Sequence, residues 1–258
     1  RLGGSVSLPD LDLQPEQRAF ADIELDDDGR VRRGLLMMWD AAGQVHFSLP
    51  LQLVLHYLKR EQINLEPDPA DEHGVMLGDG VLKRFKTNDG AYLNADDGGY
   101  QILMDFGLAN ASLEQVSLSQ VLDERVDPAM LEGRIVLFGM VASSTNDRHE
   151  TPLSYGWNAS GAMEGIKLHA QLADQMLRIA YGVSGPVTVP ATSLVLLVAG
   201  VLALMGALLG IVPGNLSTQT WVFLGSVFSL LTLSVVAFHW RLWWPGVYWA
   251  LVFAGAFL

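Results

Sequence analysis

The stretch GRIVLFGMVASSTNDRHETPL, residues 133–153, carries side chains whose types and spacing could bind a small molecule. It begins as an apolar run typical of a buried strand and continues with small and polar residues before the next hydrophobic element. A loop beyond the C-terminal end of a central strand lies over the crevice where α/β folds bind ligands. The candidate ligand-binding residues of this loop and of the helix that follows are Ser143, Ser144, Asp147, Thr151 and His169.

The same residues also allow a purely structural interpretation. In an ordinary surface loop, Asp147 and Thr151 bond their own backbone and Pro152 fixes the exit of the chain. A half-buried histidine such as His169 commonly satisfies a backbone carbonyl. The sequence leaves both interpretations open.

Other kinds of site find little support. A Ser143, His169 and Asp147 triad has no nucleophile elbow around the serine. The chain has no cysteine, and its six histidines show no paired metal-ligand spacing. ELDDDG at residues 24–29 starts like a calcium loop, but Leu35 stands where the twelfth position needs glutamate. With a net charge of −12, the chain is also a poor nucleic-acid binder. We therefore expect no catalytic residues, metal, cofactor or nucleic-acid partner.

The distribution of charged residues divides the chain into two parts of different composition. Beyond residue 186 it holds one basic residue, Arg241, and no acidic residue. Residues 187–212 have no ionisable side chain and are long enough for a helix to cross the roughly 30 Å of bilayer hydrocarbon. Further apolar runs occupy residues 221–239 and 243–258. We expect a soluble domain over residues 1–186, followed by a helical transmembrane region of two to three spans.

The orientation of the soluble domain rests on composition. The turn between the first two spans has no lysine or arginine, so the positive-inside rule gives no answer. An acidic domain is not attracted to anionic inner-leaflet lipids, and the lack of cysteine is compatible with any redox compartment. We expect a multi-pass inner-membrane protein whose soluble domain lies on the periplasmic or extracellular side.

Within the first apolar run, Gly206 and Gly210 have the small-xxx-small spacing that lets two helices approach closely. They mark either a dimer seam or close packing inside the same helical unit.

The soluble part mixes strand and helix patterns, which predicts an α/β (mixed) domain. RAFADIEL and RVRRGLLMMW flank an Asp-Gly turn and predict a hairpin, with Arg30, Arg32 and Arg33 as strand-edge and rim charges. Short strands are expected within residues 80–85 and 100–106, and a buried strand at RIVLFG. The predicted helices are SLPLQLVLHYLKR capped by Ser48, SLSQVL capped by Ser117 or Ser119, and the amphipathic MEGIKLHAQLADQMLRIA.

The order of these motifs resembles a known family. DDDGRVRRGLLM, SLSQVLDERVDPAMLEGRIVLFG, DRHETPL and MEGIKLHAQLADQML follow one another ahead of paired apolar helices. This order, over residues 18–258, resembles the CHASE-type extracellular sensor domains of the second class. The family's GKIVLIG strand, its loop with Asp and Thr-Pro-Leu, and its PGVEIHA helix are matched by residues 133–139, 147–153 and 164–170. The structural positions of this match are Gly133, Gly139, Pro152 and Gly165.

The resemblance has departures. Family members usually begin with a transmembrane helix, an IDD strand and a PWPR segment, and this chain shows none of the three. Glu164 stands where the family commonly has proline. We therefore expect that the N-terminal part of the family pattern is missing.

The resemblance implies a ligand-sensing and transmembrane input module of a bacterial signalling receptor, whose effector, such as an adenylate cyclase or a histidine or protein kinase, is not in this chain. The chain itself is not expected to be an enzyme. The alternative is a non-catalytic accessory or scaffold subunit docked on a larger membrane complex. The expected partners are a small-molecule ligand, the lipid bilayer, and either a second copy of the chain or a larger membrane complex.

Overall fold

The computed structural model describes residues 14–106, 113–142, 147–155, 161–211 and 214–257. The chain forms two compact units, residues 1–85 with 97–186 and residues 86–96 with 187–258. Ser143 and Ser144, two of the predicted ligand-binding residues, lie outside the described residues.

The first unit combines small antiparallel sheets with helices. Its strands are β1 (Arg33–Trp39), β2 (Val45–Phe47), β3 (Leu65–Pro67), β4 (Val75–Leu77), β5 (Gly80–Leu82), β6 (Tyr100–Leu103), β7 (Arg148–His149) and β8 (Met163–Glu164). They pair in the orders β2–β1–β6 and β3–β4–β5, and β7 pairs with β8. Every ladder among the described strands is antiparallel. The predicted mixture of strand and helix is confirmed.

The helices of this unit follow the predicted positions. They are α1 (Leu49–Leu58), α2 (Leu118–Leu122) and α3 (Gly165–Ala180), with short 3-10 helices at Pro15–Gln17, Lys59–Glu61 and Pro128–Met130. The Ser48 side chain caps α1 by accepting from the Leu51 amide, and Ser117 caps α2 in a capping box with Gln120. Both caps satisfy amides that have no partner inside the helix.

Helix α3 is the central element of the core. Its buried apolar residues pack in one cluster with those of β1 and α1, including Leu36, Leu51 and Met176. Gly34 of β1 lets Leu172 approach the strand, since a β-carbon there would lie 2.6 Å from the leucine side chain. The predicted helix is confirmed, and Leu172, Ala173 and Met176 of its predicted apolar side are buried.

Two buried glutamines on α3 were missed by the sequence analysis. The amide of Gln175 donates to the carbonyl of Leu103 and accepts from the Asp105 amide, both at 2.9 Å. Gln171 donates to the carbonyl of Asp105 at 2.8 Å. These side chains supply hydrogen bonds to the chain leaving β6, where a neighbouring strand would otherwise supply them.

The C-terminal end of α3 rests on the GDG turn at residues 78–80. The Asp79 amide donates to the Ala180 carbonyl at 3.0 Å, which satisfies one acceptor at the helix end. A β-carbon at Gly78 or Gly80 would collide with the carbonyls of Ala180 and Ile179. The two glycines therefore permit direct contact between turn and helix.

The predicted strand at residues 133–139 is wrong. Among the described residues it pairs with no strand, and Phe138 and Met140 are 72% and 74% exposed. Burial alternates over Ile135, Val136, Leu137 and Phe138 as in an extended chain. The alternation in the sequence is therefore reflected in the burial of these four residues, but it could not show that no described strand pairs with them.

The hairpin prediction is partly wrong. The turn forms, with the Gly29 amide donating to the Asp26 carbonyl at 2.8 Å, but residues 18–25 form no strand. The assignment of the three arginines to rim positions is wrong for Arg33, whose side chain is only 3% exposed. Its Nε donates to Asp26 at 2.7 Å, and Nη1 donates to Gln101 at 2.7 Å.

The second unit is dominated by apolar helices, α4 (Thr192–Ile211), α5 (Leu216–His239) and α6 (Gly246–Phe257). Helices α4 and α5 are long and apolar enough to cross a membrane, whereas α6 has 12 residues. A third span therefore stays a prediction. In this unit α6 packs against Gly206 and Gly210: a β-carbon at Gly206 would lie 2.6 Å from the Phe253 carbonyl, and one at Gly210 would collide with that of Phe257.

Candidate functional site

The candidate site lies at the N-terminal end of α3. Strands β7 and β8 form a two-residue ribbon in which Arg148 pairs with Glu164 and His149 with Met163. The Arg148 guanidinium donates to Glu164 at 2.9 Å and to the Ala162 carbonyl at 2.6 Å. The ribbon thereby carries the end of the predicted loop to the first turn of the helix.

Glu164 is the N-cap residue of α3, in place of the proline expected from the family pattern. Its carboxylate lies between two cations, Arg148 at 2.9 Å and Lys167 at 3.0 Å. The hydrogen bond from Lys167 is the largest cause that lowers the pKa of Glu164, and the charge of Arg148 adds to it. The departure from the family pattern therefore supplies an ion-paired link between the ribbon and the helix.

Asp147 lies directly against the start of α3. Its backbone carbonyl accepts from the Gly165 amide at 3.1 Å, and its carboxylate occupies the space that a side chain at Gly165 would need. The same carboxylate is 3.0 Å from Nε2 of His149. A carboxylate at a helix N-terminus is favoured by the helix dipole. Gly165 is thus required for the close approach of this acidic group.

His169 lies one turn further along α3 and is half-buried. Burial lowers the pKa of His169, while the nearby charge of Asp147 and a hydrogen bond to the carbonyl of Ala21 raise it, and the charge of His149 lowers it. Asp147, His149 and His169 therefore form one electrostatic cluster. The bond to Ala21 is the one that the structural interpretation of His169 expects.

Thr151 has no accessible surface. Its hydroxyl accepts from the Leu153 amide at 3.2 Å and its own amide donates to Ser154 Oγ at 2.9 Å. Pro152 is exposed within this turn. Thr151 thus serves the structure of the loop, as the alternative interpretation expects, and could meet a ligand only after local opening.

The two glycines flanking the apolar segment have different surroundings. Gly133 has a φ of 69° in a turn, a region of backbone conformation that favours glycine. A β-carbon at Gly139 would lie 2.7 Å from Ile166 of α3. Gly139 therefore allows residues approaching the loop to pack against the same helix that bears His169.

His169 also lines a small cavity. Its volume is about 20 Å³, enough for roughly one water molecule. Its polar lining comes from Asp22, Glu24, Arg33, Ser48 and His169. Among the described predicted residues, His169 lines this cavity, whereas Asp147 and Thr151 do not. A small-molecule ligand of ordinary size would require the surrounding residues to move apart.

Several polar residues of the site were missed by the sequence analysis. Arg33 was assigned to the surface, Asp22 and Glu24 were placed in a hairpin strand, and His149 was counted only among the polar side chains of the loop. Asp22 and Glu24 lie in the segment that fails to form the first hairpin arm, so they approach α3 instead. Asp147 and His149 are two residues apart, and alternate residues of an extended chain share a face. This spacing could have indicated that their side chains lie together.

The polar groups near the N-terminal half of α3 include one carboxylate, two imidazoles and, in the small cavity, the buried guanidinium of Arg33. The described residues contain no group of three or more histidine and acidic side chains arranged to hold a metal ion. The contacts of Asp147, His149 and His169 are hydrogen bonds and charge interactions, and α3 is their common element.

Comparison with known protein families identifies the family of this chain. The model of the CHASE2 domain family matches residues 5–210 of the chain. No curated protein matches. No solved structure matches. The match covers the candidate site and most of α4, and the chain therefore belongs to the CHASE2 family of CHASE-type extracellular sensor domains, which are found in signalling receptors.

Proposed function

We propose that this chain is the ligand-sensing and transmembrane input module of a bacterial signalling receptor, with its soluble unit outside the cytoplasm and an effector in other residues of the receptor. The observation that carries the proposal is the cluster of Asp147, His149 and His169 at the N-terminal end of α3. The chain's membership of a sensor-domain family supports the ligand-sensing role.

Helix α3 is suited to transmit a change from this cluster. Its N-terminal end contacts Asp147, and its C-terminal end contacts the turn at residues 78–80. The chain then reaches α4 through residues 181–191, which include two glycines and two prolines. Two arrangements of the domain would differ in the position of α3. A ligand with a higher affinity for one arrangement would shift the population toward it.

A panel of small carboxylates, sugars, amino acids and inorganic ions tests the ligand site. We expect at least one compound to raise the midpoint of thermal unfolding of the purified chain, and the double variant Asp147→Ala, His169→Ala to lose that increase. The matched control is Asp40→Ala, His46→Ala, because Asp40 and His46 form an exposed carboxylate–imidazole contact of 3.1 Å in the β1–β2 turn. An equal loss in both double variants would contradict the assignment of the site.

The extracytoplasmic placement has its own test. The chain has no cysteine, so a single Leu122→Cys variant on α2 reports the accessibility of one position. We expect a membrane-impermeant maleimide to label it in intact cells. Labelling only after lysis would place the soluble unit in the cytoplasm.

The second candidate function is an accessory subunit of a larger membrane complex. It is favoured by the exposed apolar side chains of Val136, Phe138, Met140 and Val141, which could dock on another protein. The intact mass of the native protein distinguishes the two functions. A mass well above 28.1 kDa, with an effector in the same polypeptide, supports the receptor. A mass near that value together with a copurifying complex supports the accessory subunit.

A further inference from the structure

The loop of residues 86–96 belongs to the same compact unit as the apolar helices, although its sequence is polar and connects β5 with β6. It is closed at its base, where the Ala95 amide donates to the Thr87 carbonyl at 3.0 Å and the Thr87 hydroxyl donates to the Ala95 carbonyl at 2.5 Å. These bonds join the two ends of the loop and fix its conformation.

Further hydrogen bonds order the interior of the loop. The Asp89 carboxylate accepts from the Lys86 amide, and the Asn88 side chain accepts from the Asn94 amide, both at 2.9 Å. The Tyr92 amide donates to the Asp89 carbonyl at 3.0 Å. The tip, with Tyr92 and Leu93, is therefore held on an ordered base.

Tyr92 packs against Trp243, with the rings nearly perpendicular and their centroids 5.8 Å apart. A β-carbon at Gly90 would lie 3.0 Å from the same indole. Gly90 has a φ of 62°, so both the turn and the tight contact favour glycine there. The loop is thus fitted to the tryptophan.

Trp243 itself lies at the entrance of α4. Its amide donates to the Thr188 carbonyl at 2.9 Å, and the Thr188 amide donates to the Arg241 carbonyl at 2.8 Å. Trp249 also forms a hydrogen bond with α4, in which its indole N–H donates to the Val195 carbonyl at 3.2 Å. These contacts place the tryptophans beside the first turns of the apolar helix α4, where a spanning segment meets the headgroups.

The exposed side chains at this level have the chemistry of a membrane interface. Trp240 is 72% exposed and Leu93 is 86% exposed. Tryptophan and tyrosine are enriched at headgroup depth, and an exposed leucine gains free energy when it leaves water. A single exposed leucine is ordinary on a soluble surface, but this one follows a tyrosine that packs on a tryptophan next to an apolar helix.

We propose that the loop of residues 86–96 is a membrane-interface anchor, in which Tyr92 and Leu93 lie in the headgroup region of the bilayer beside Trp243. This anchor would be a second attachment of the soluble sequence to the membrane, in addition to residues 181–191. It depends on α4 and α5 crossing the bilayer, and it is independent of ligand sensing.

Single-cysteine labelling tests the anchor in the full chain reconstituted into phosphatidylcholine vesicles. Leu93→Cys carries an environment-sensitive fluorophore, and nitroxide lipids and aqueous iodide are the two quenchers. Leu122→Cys is the matched soluble control, since Leu122 is also a strongly exposed leucine, and Val235→Cys of α5 is the control for lipid exposure. Ala91→Cys repeats the measurement at a second tip position.

We expect nitroxide lipids with a headgroup label to quench the probes at residues 93 and 91 several-fold more than the probe at residue 122, and iodide to quench them less. Equal quenching at residues 93, 91 and 122, with the probe at residue 235 in lipid, would overturn the anchor alone. An aqueous probe at residue 235 would overturn both the anchor and the membrane position of α5.

Discussion

The carboxylate of Asp147 occupies the space where a side chain at Gly165 would lie, so the end of the predicted loop and the first residue of α3 are in direct contact. The Gly165 amide also donates to the Asp147 carbonyl at 3.1 Å. A movement of either residue therefore requires a movement of the other. In the proposed function, this contact is the route by which a change near Asp147 reaches the helix.

Gly165→Ala tests the contact. We expect the free energy of unfolding to fall by about 1–3 kcal/mol, because the new methyl group meets the Asp147 carboxylate. In an Asp147→Gly background the same substitution should cost much less, since that space is then open and alanine is the better helix residue. Thermal unfolding of the four proteins gives the coupling. Equal losses in both backgrounds would show that the carboxylate is not the obstacle.

The elements of the first unit that depend on local signals could be predicted from the sequence. Ser48 as a cap, Ser117 or Ser119 as a cap, and the amphipathic pattern of residues 163–180 predicted three helices, because caps and amphipathic faces are encoded within a few residues. The failed strand at residues 133–139 has the correct local pattern, but strand formation also needs a partner. That information is not local.

The candidate site was predictable only where local sequence carries the information. Asp147 and His169 stood out by residue type, and α3 places them in one electrostatic cluster. The burial of Arg33 could not be read from its arginine-rich neighbourhood, since it depends on Gln101, a residue of another strand. Likewise, the sequence assigns Gln171 and Gln175 to the polar face of the helix. Their burial depends on hydrogen bonds to the backbone of Leu103 and Asp105, which are distant in sequence.

The pKa of His169 gives a pH dependence. Burial lowers this pKa below its ordinary value of 6.5, so near and below that pH the unfolded chain binds more protons at this position than the folded chain. The free energy of unfolding should therefore fall as pH drops below about 6.5. Unfolding midpoints of the wild type and His169→Gln at about pH 7.5 and about pH 5.5 isolate this effect. A smaller acid-induced loss is expected in the variant, whereas identical losses would refute the prediction.

Arg33→Ala should be strongly destabilising. It leaves the buried Asp26 without its 2.7 Å partner and removes a donor from Gln101. The expected loss is about 3–5 kcal/mol, as for other buried pairs that lose one member. Arg32 still contacts Asp26 at 2.6 Å, which favours the lower end of that range. Arg30→Ala is the control on the same turn and should change the free energy of unfolding by less than about 0.5 kcal/mol.

In the apolar unit, Gly206→Leu and Gly210→Leu should displace α6 from α4, because both glycines face the backbone of α6 around Phe253 and Phe257. Glycine at such contacts allows helices to approach at backbone distance. We expect a lower thermal midpoint in detergent and an unchanged oligomeric state by light scattering, since this face is already occupied within one chain. Gly200→Leu and Gly225→Leu are matched controls, as an added β-carbon at either position meets no other atom within 4 Å. If the first two variants instead dissociated an oligomer while α6 stayed in place, the glycines would line an interface between chains, which would contradict the packing of α6 against them.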